Sequence, residues 1–180
     1  GETPGLLPTP EWKQRVKREP WYIGDTYHLS IGQGDLLVTP LQMANATAAI
    51  ANGGVVYQPR LVTASVTPDG KKNPISAKVL NDHPADRSSI ETVRQGMREA
   101  VLSGSAGAMQ ALPVTSGAKT GTAQFEDGNA THAWFTAFAP YENPQIALAV
   151  IVEGAGQGHA AALPVAENVL NWYFSQQTRE

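Results

Sequence analysis

The run Ser116-Gly117-Ala118-Lys119-Thr120-Gly121-Thr122-Ala123-Gln124 brings an amine, three hydroxyls and two glycines into nine residues. In an extended strand side chains alternate, so Lys119 and Gly121 share one face while Thr120 and Thr122 share the other. Such a strand, if it lies at a sheet edge, offers backbone N–H and C=O groups to an extended peptide that adds as a further strand. The Lys119 ammonium would supply positive charge to a ligand carboxylate or serve a proton path. Thr120 would donate a hydroxyl to that carboxylate, and Gly121 would let the ligand backbone come close. The Thr122 N–H is placed to form half of an oxyanion hole. A Lys-Thr-Gly tripeptide is common by chance, so these residues alone also fit an ordinary edge strand.

Ser116 and Lys119 have the spacing of a serine nucleophile with a lysine base three residues on. That pairing needs a helix, where positions three apart share a face. Here the surrounding pattern is a strand, three residues apart means opposite faces, and Gly117 weakens any helix. The run is therefore expected to be one wall of a site, with Ser116 uninvolved.

The elements that must hold this wall follow from periodicity. Residues 1–12 are rich in Pro and Gly and predict an irregular opening loop. Tyr27, Leu29 and Ile31 alternate with polar neighbours, predicting a short strand into the Gly32-Gln33-Gly34 turn. Thr39, Pro40 and Gln42 make a capping box that starts a helix, with Leu41, Ala44, Ala48 and Ala51 on one face and Gly53-Gly54 at its end. Residues 55–67 predict strands or extended loops, and residues 68–87 a polar surface excursion. A second helix opens at Ser88-x-x-Glu91, spaces Ile90, Val93, Met97 and Val101 along one face, and stops near Gly104.

In the last third, strands are expected over Val114 to about Gln124, His132 to Ala139 and Ile146 to Val152, with a turn at Asp127-Gly128-Asn129. Short connections make them antiparallel neighbours. The third is apolar throughout and predicts burial on both faces. Pro164 is expected to start a closing helix striped by Ala166, Val169, Leu170, Tyr173 and Phe174. The fold class is α/β of the α+β type, an antiparallel sheet with covering helices.

Composition narrows the functions. At 180 residues, 42% hydrophobic and 16% charged, the chain has enough apolar material for one domain with a core. A net charge of −3 argues against a nucleic-acid partner. The cluster Lys13, Arg15, Lys17 and Arg18 predicts a solvated surface segment. With no cysteine, and with His28, His83, His132 and His159 far apart, no metal or other cofactor is expected. No apolar run reaches the roughly 18 to 20 residues that span a bilayer. The chain opens on Gly1 rather than Met, which fits a segment of something longer.

Five fragments in one order resemble the transpeptidase domain of class B penicillin-binding proteins, most closely the elongation-type penicillin-binding protein 2 group. They are Pro20 to Gly54, Glu91 to Val101, Ala118 to Gln124, His132 to Val150 and the closing helix, so the resemblance spans nearly the whole chain. It implies a penicillin-binding, β-lactamase-like fold and cross-linking of peptidoglycan. A serine attacks the D-alanyl-D-alanine bond of one stem peptide, an amine of another resolves the acyl-enzyme, and β-lactams acylate the same serine. Lys119, Thr120 and Gly121 match the family's Lys-[Ser/Thr]-Gly motif, and Thr122 matches the position that gives its N–H to the oxyanion hole. Gln33 and the Thr39-Pro40-Leu41-Gln42 start match a segment expected to buttress the site. For Gln33 both a direct ligand role and satisfaction of its glycine-flanked turn stay open. Trp134 and Phe135 are expected to pack in the sheet.

The family also needs Ser-x-x-Lys at a helix start and a Ser-x-Asn. No Ser-x-Asn occurs here, and SGAK is the one Ser-x-x-Lys. Both missing elements lie N-terminal in the family, so residues 1–180 are expected to be the C-terminal part of a single, incomplete transpeptidase domain, inactive by itself. The implied partners are stem peptides, β-lactams and a glycosyltransferase of the elongation machinery. The implied location is the extracytoplasmic, periplasmic face of the cytoplasmic membrane, reached through an N-terminal anchor outside these residues. A non-catalytic β-lactam-binding or scaffold module competes with the enzyme reading. A β-lactamase or carboxypeptidase relative fits the HAWFTAFAP and IGQGDLLVTPLQ segments less well.

Overall fold

The computed structural model describes residues 3–125 and 130–177. Its centre is a three-stranded antiparallel sheet in the order β5-β6-β7, formed by β5 (Gly117–Phe125), β6 (Ala130–Ala139) and β7 (Ile146–Val152). β5 runs against β6 from Gly117↔Phe138 to Phe125↔Ala130, and β6 against β7 from Ala133↔Val152 to Ala139↔Ile146. Both β5 and β7 therefore pair with β6 alone among the described strands. The three expected strands are present. The expected turn at Asp127-Gly128-Asn129 lies outside the described residues.

Each sheet face has its own cover. One carries Ala118, Ala133, Phe135, Ala137 and Ala139 and packs on α5 (Gly158–Gln177) through Ala162, Leu163, Ala166, Leu170 and Phe174. This cluster is the main core; Val101 of α4 (Arg87–Leu102) and Met109 of a short 3-10 turn (Gly107–Ala111) complete it. On the opposite face, Phe138 packs with Met97 of α4 and with Ala51 of α3 (Pro40–Ala51). β7 thus has helices on both sides, yet every one of its residues stays half-buried rather than buried. No described strand pairs with its outer edge, so the apolar run is less enclosed than its composition predicts.

α3 begins where its capping box predicts. The Gln42 N–H donates to Thr39 Oγ1 at 3.1 Å, and the Thr39 N–H donates to Gln42 Oε1 at 2.9 Å. Its buried face meets the expected one only in part: Ala51 is buried as expected, but so are Thr47 and Ala49, whereas Leu41 is exposed. α4 starts at Arg87, so Ser88 lies in its first turn rather than at its cap, and Val93 is exposed while Met97 and Val101 are buried. α5 starts six residues before Pro164 and takes the proline inside. Proline removes one helical hydrogen bond. Burial of Ala162 and Leu163 against the sheet offsets that loss.

Three corrections concern the N-terminal third. Pro10 to Val16 form α1, capped by Thr9 Oγ1 accepting from the Trp12 N–H at 3.1 Å, so the opening loop ends before residue 12. The segment around Tyr27 is a helix, α2 (Ile23–Ser30), not a strand. Asp25 decides this: its carboxylate accepts the Tyr22 N–H at 2.7 Å and closes the first turn. The same carboxylate accepts from Lys13 Nζ at 2.7 Å. Lys13 is buried rather than solvated, with its ammonium 4.7 Å from the centre of the Tyr22 ring. Between α3 and α4, β1 (Val56–Tyr57) and β2 (Ala64–Val66) are short strands within residues 55–67, and they pair with β4 (Val79–Asn81) and β3 (Lys72–Pro74) of the exposed 68–87 excursion in two antiparallel ribbons.

Candidate functional site

Lys119 to Thr122 lie on the outer edge of the sheet. By strand alternation, the N–H and C=O groups of Thr120, Thr122 and Gln124 point away from β6 towards this open side. A groove of about 610 Å³ runs beside them, walled by the Lys119–Phe125 stretch, Trp134 and Ile151 and faced by Ile31, Leu37 and Met43. Lys119 is exposed, and its Nζ donates to the Thr120 carbonyl at 2.5 Å. A cation and a row of strand-pairing groups thus border one groove.

α4 anchors the inner end of β5. Arg98 Nη1 donates to the Ser116 carbonyl at 2.9 Å, and Arg94 Nη2 donates to the Tyr141 carbonyl at 2.9 Å. Close packing fixes the middle. A Cβ on Gly121 would stand 3.0 Å from the Trp134 Cβ, tight enough to force a shift across the pair. Gly158, at the start of α5, sits closer still: a Cβ there would come within 2.2 Å of the Trp134 carbonyl oxygen and 2.5 Å of that of Gly121. The first turn of α5 therefore rests directly on the backbone that carries the Lys-Thr-Gly run.

Ser116 is fully buried, and its Oγ has no hydrogen-bond partner among the described residues. It faces the core, while Lys119 faces solvent; the two are not brought together. Thr120 is engaged by a residue that the sequence did not single out: its Oγ1 lies 2.8 Å from Ser105 Oγ, in the loop after α4. No local signal marks Ser105, because the contact depends on how α4 docks on β5. Phe135 packs in the core as expected, whereas Trp134 lies half-exposed in the groove.

Gln33 reaches the same edge from the loop after α2. Its Nε2 donates to the Thr122 carbonyl at 2.8 Å, and its Oε1 accepts the Gln124 N–H at 3.2 Å. The side chain is spent on β5, not on its own turn, which is closed by the backbone bond from the Gln33 N–H to the His28 carbonyl at 2.9 Å. Gly32 and Gly34 flank it at φ 73° and 74°, a conformation that favours glycine. A bridge between Leu6 and Leu37 ties the far end of the loop.

Beyond Gln33 a second cavity of about 530 Å³ is lined by Lys17, Trp21, Asp25, His28 and Asp35. Lys17 Nζ donates to both Asp35 carboxylate oxygens, at 2.7 and 2.6 Å. The Lys13 ammonium first, and the Tyr22 N–H second, hold the Asp25 carboxyl below its ordinary pKa; Asp25 in turn raises that of Lys13. Among the described residues, no cluster of His, Asp or Glu is arranged to hold a metal ion. None of the described helices is long and apolar enough to cross a membrane.

Residues 1–171 match the family model of the penicillin binding protein transpeptidase domain. A peptidoglycan D,D-transpeptidase MrdA of Haemophilus influenzae is 33% identical over 195 residues, covering 98% of this chain and 30% of the relative. The crystal structure of Pseudomonas aeruginosa PBP2 in complex with WCK 5153 superposes with a TM-score of 0.80 at 37% identity, covering 96% of this chain and 39% of that one. Helicobacter pylori PBP2, in its complex with MreC, superposes at 0.79 with 29% identity, covering 100% of this chain and 32% of that one. The chain therefore spans well under half the length of these relatives. The antiparallel sheet, its covering helices and the match over nearly every residue lead to one conclusion: the chain belongs to the penicillin-binding protein transpeptidase-domain family.

Proposed function

We propose that this chain supplies one wall of a peptidoglycan D,D-transpeptidase active site, and that the attacking serine stands on residues outside these 180. In this reading residues 1–180 are the C-terminal part of one transpeptidase domain. A stem peptide adds to the β5 edge as an extra strand. Lys119 and the Thr120 hydroxyl take its terminal carboxylate, Gly121 admits its backbone, and the Thr122 N–H polarises the carbonyl under attack. β-Lactams occupy the same edge.

The observation that carries the reading is the position of the Lys119–Thr122 run on a sheet edge that no described strand pairs, beside an open groove. The burial of Ser116 supports placing the nucleophile elsewhere. Kinship with transpeptidases supports work at the extracytoplasmic face of the cell envelope, held there by an N-terminal anchor and joined to a glycosyltransferase. The relative solved with MreC supports assembly with other envelope proteins.

The coding sequence upstream of Gly1 tests the proposal first. Ser-x-x-Lys followed by Ser-x-Asn is expected there; a stop or an unrelated domain would contradict it and favour a scaffold module. In a product extended through that segment, Lys119→Ala is expected to lower the rate of acylation by a fluorescent penicillin about a hundredfold, as loss of a charge-stabilising donor does. An unchanged rate would remove Lys119 from the site.

A further inference from the structure

We propose that Gln33 is an end-stop for the peptide-docking edge: it fixes how far a ligand strand can pair along β5. The inference rests on the docking edge proposed above and adds to it a determinant of ligand length.

The Gln33 amide bonds the carbonyl of Thr122 and the N–H of Gln124. A parallel neighbouring strand makes the same pattern, one residue serving the C=O of position i and the N–H of position i+2. Gln33 thus occupies the slot of a strand neighbour with a single side chain. Its backbone is held on both sides, by left-handed Gly32 and Gly34 and by its own N–H on His28. A Cβ on Gly34 would meet the His28 Cβ at 3.3 Å, so the loop also lies close against α2.

The two ends of the edge are unequal. At Thr120 the carbonyl is held by Lys119 Nζ, the tip of a flexible side chain on the same strand, which an incoming N–H can displace. At Gln124 the N–H is held by a group built into a fixed turn. The Thr122 carbonyl keeps a second lone pair for a ligand N–H, whereas the Gln124 N–H has one hydrogen and that is used.

A ligand strand can therefore pair at Thr120 and Thr122 and no further. The residues that precede its paired end must leave the sheet at Gln33, where the cavity lined by Lys17, Trp21, Asp25, His28 and Asp35 begins. The edge is built for the last few residues of a peptide rather than for a long strand. Gln33 is a positioning residue here, since it acts through the β5 backbone.

The test uses two probes on the 180-residue chain, N-acetyl-D-alanyl-D-alanine and the same dipeptide extended at its N-terminus by three L-alanines. Residue-resolved hydrogen–deuterium exchange and competition binding are read for each. In the parent protein both probes should slow exchange at Thr120 and Thr122, leave Gln124 unchanged, and bind within about twofold of each other. Gln33→Ala should speed exchange at Gln124 without ligand. The longer probe should then slow it and bind about tenfold tighter than the shorter one, the value of one added strand pair. Gln33→Met, which keeps the volume and removes both bonds, should behave alike and guards against a folding defect in the alanine variant. If both probes protect Thr120 and Thr122 but the variants leave the probes equal, or if the longer probe already protects Gln124 in the parent, the end-stop is wrong and the docking edge survives. If neither probe protects Thr120 or Thr122 in the parent, the docking edge fails and the end-stop with it.

Discussion

Ser116 and Lys119 stand three residues apart in opposite environments, the serine fully buried at the entry to β5 and the lysine exposed beside the groove. Their spacing imitates a nucleophile and its base, and the strand geometry separates them. The Ser116 hydroxyl has no hydrogen-bond partner among the described residues.

Ser116→Ala should therefore be neutral or stabilising by up to about 1 kcal/mol, since it deletes a buried, unsatisfied hydroxyl while leaving the carbonyl that Arg98 holds. Urea denaturation of the variant checks this. A loss of more than about 2 kcal/mol would mean that the hydroxyl has a partner in solution.

Glycines separate the site's scaffold from its surface. At Gly158 a methyl group would press on the carbonyls of Trp134 and Gly121, so Gly158→Ala should cost about 1 to 3 kcal/mol, as overpacking does. Gly96, exposed in the middle of α4, has nothing within 4 Å of an added Cβ. Gly96→Ala should stabilise by about 0.5 to 1 kcal/mol. Equal midpoints for the two variants in a denaturant titration would contradict the close seating of α5 on β5.

The Asp25–Lys13 pair sets a pH window for the α1–α2 corner. The Asp25 carboxyl lies below its ordinary value, so its contribution is present above that value and is lost as pH falls through the depressed one. Lys13 is raised, so its contribution is present below the ordinary lysine value and is lost as pH climbs through the raised one. Fluorescence of Trp12 and Trp21 should report loosening at the acid end, and Asp25→Asn should abolish that transition. An unaltered acid transition in Asp25→Asn would assign it to another group.

β7 presents seven half-buried apolar residues along an edge with no described neighbour, a surface that invites pairing. Prepared by itself at micromolar concentration, the chain should run in sedimentation as dimers or larger species. A monodisperse monomer with a cooperative melt would contradict this.

How much was legible depended on whether a signal was local. The start of α3 and the span of β7 could be read directly, because Thr39, Pro40 and Gln42 cap by sequence spacing and IALAVIV is continuous. α2 was misread because Tyr27, Leu29 and Ile31 alternate like a strand, while the deciding contact, Asp25 on the Tyr22 N–H, is a single hydrogen bond. Pro164 was a reasonable helix start until tertiary burial of Ala162 and Leu163 carried the helix past it. At the candidate site, the Lys-Thr-Gly run was visible as residue types. Its partners Ser105 and Gln33 reach it through the packing of α4 and of the loop after α2, and no window of sequence contains both ends of those contacts.

Incubating the 180-residue chain with a fluorescent penicillin, followed by denaturing electrophoresis and intact mass measurement, tests the central claim most directly. The account predicts an unmodified mass for this chain and a single adduct once the proposed upstream segment, with its Ser-x-x-Lys, is joined to it. A stoichiometric covalent adduct on the 180 residues alone, at Ser116 or any other serine, would contradict it.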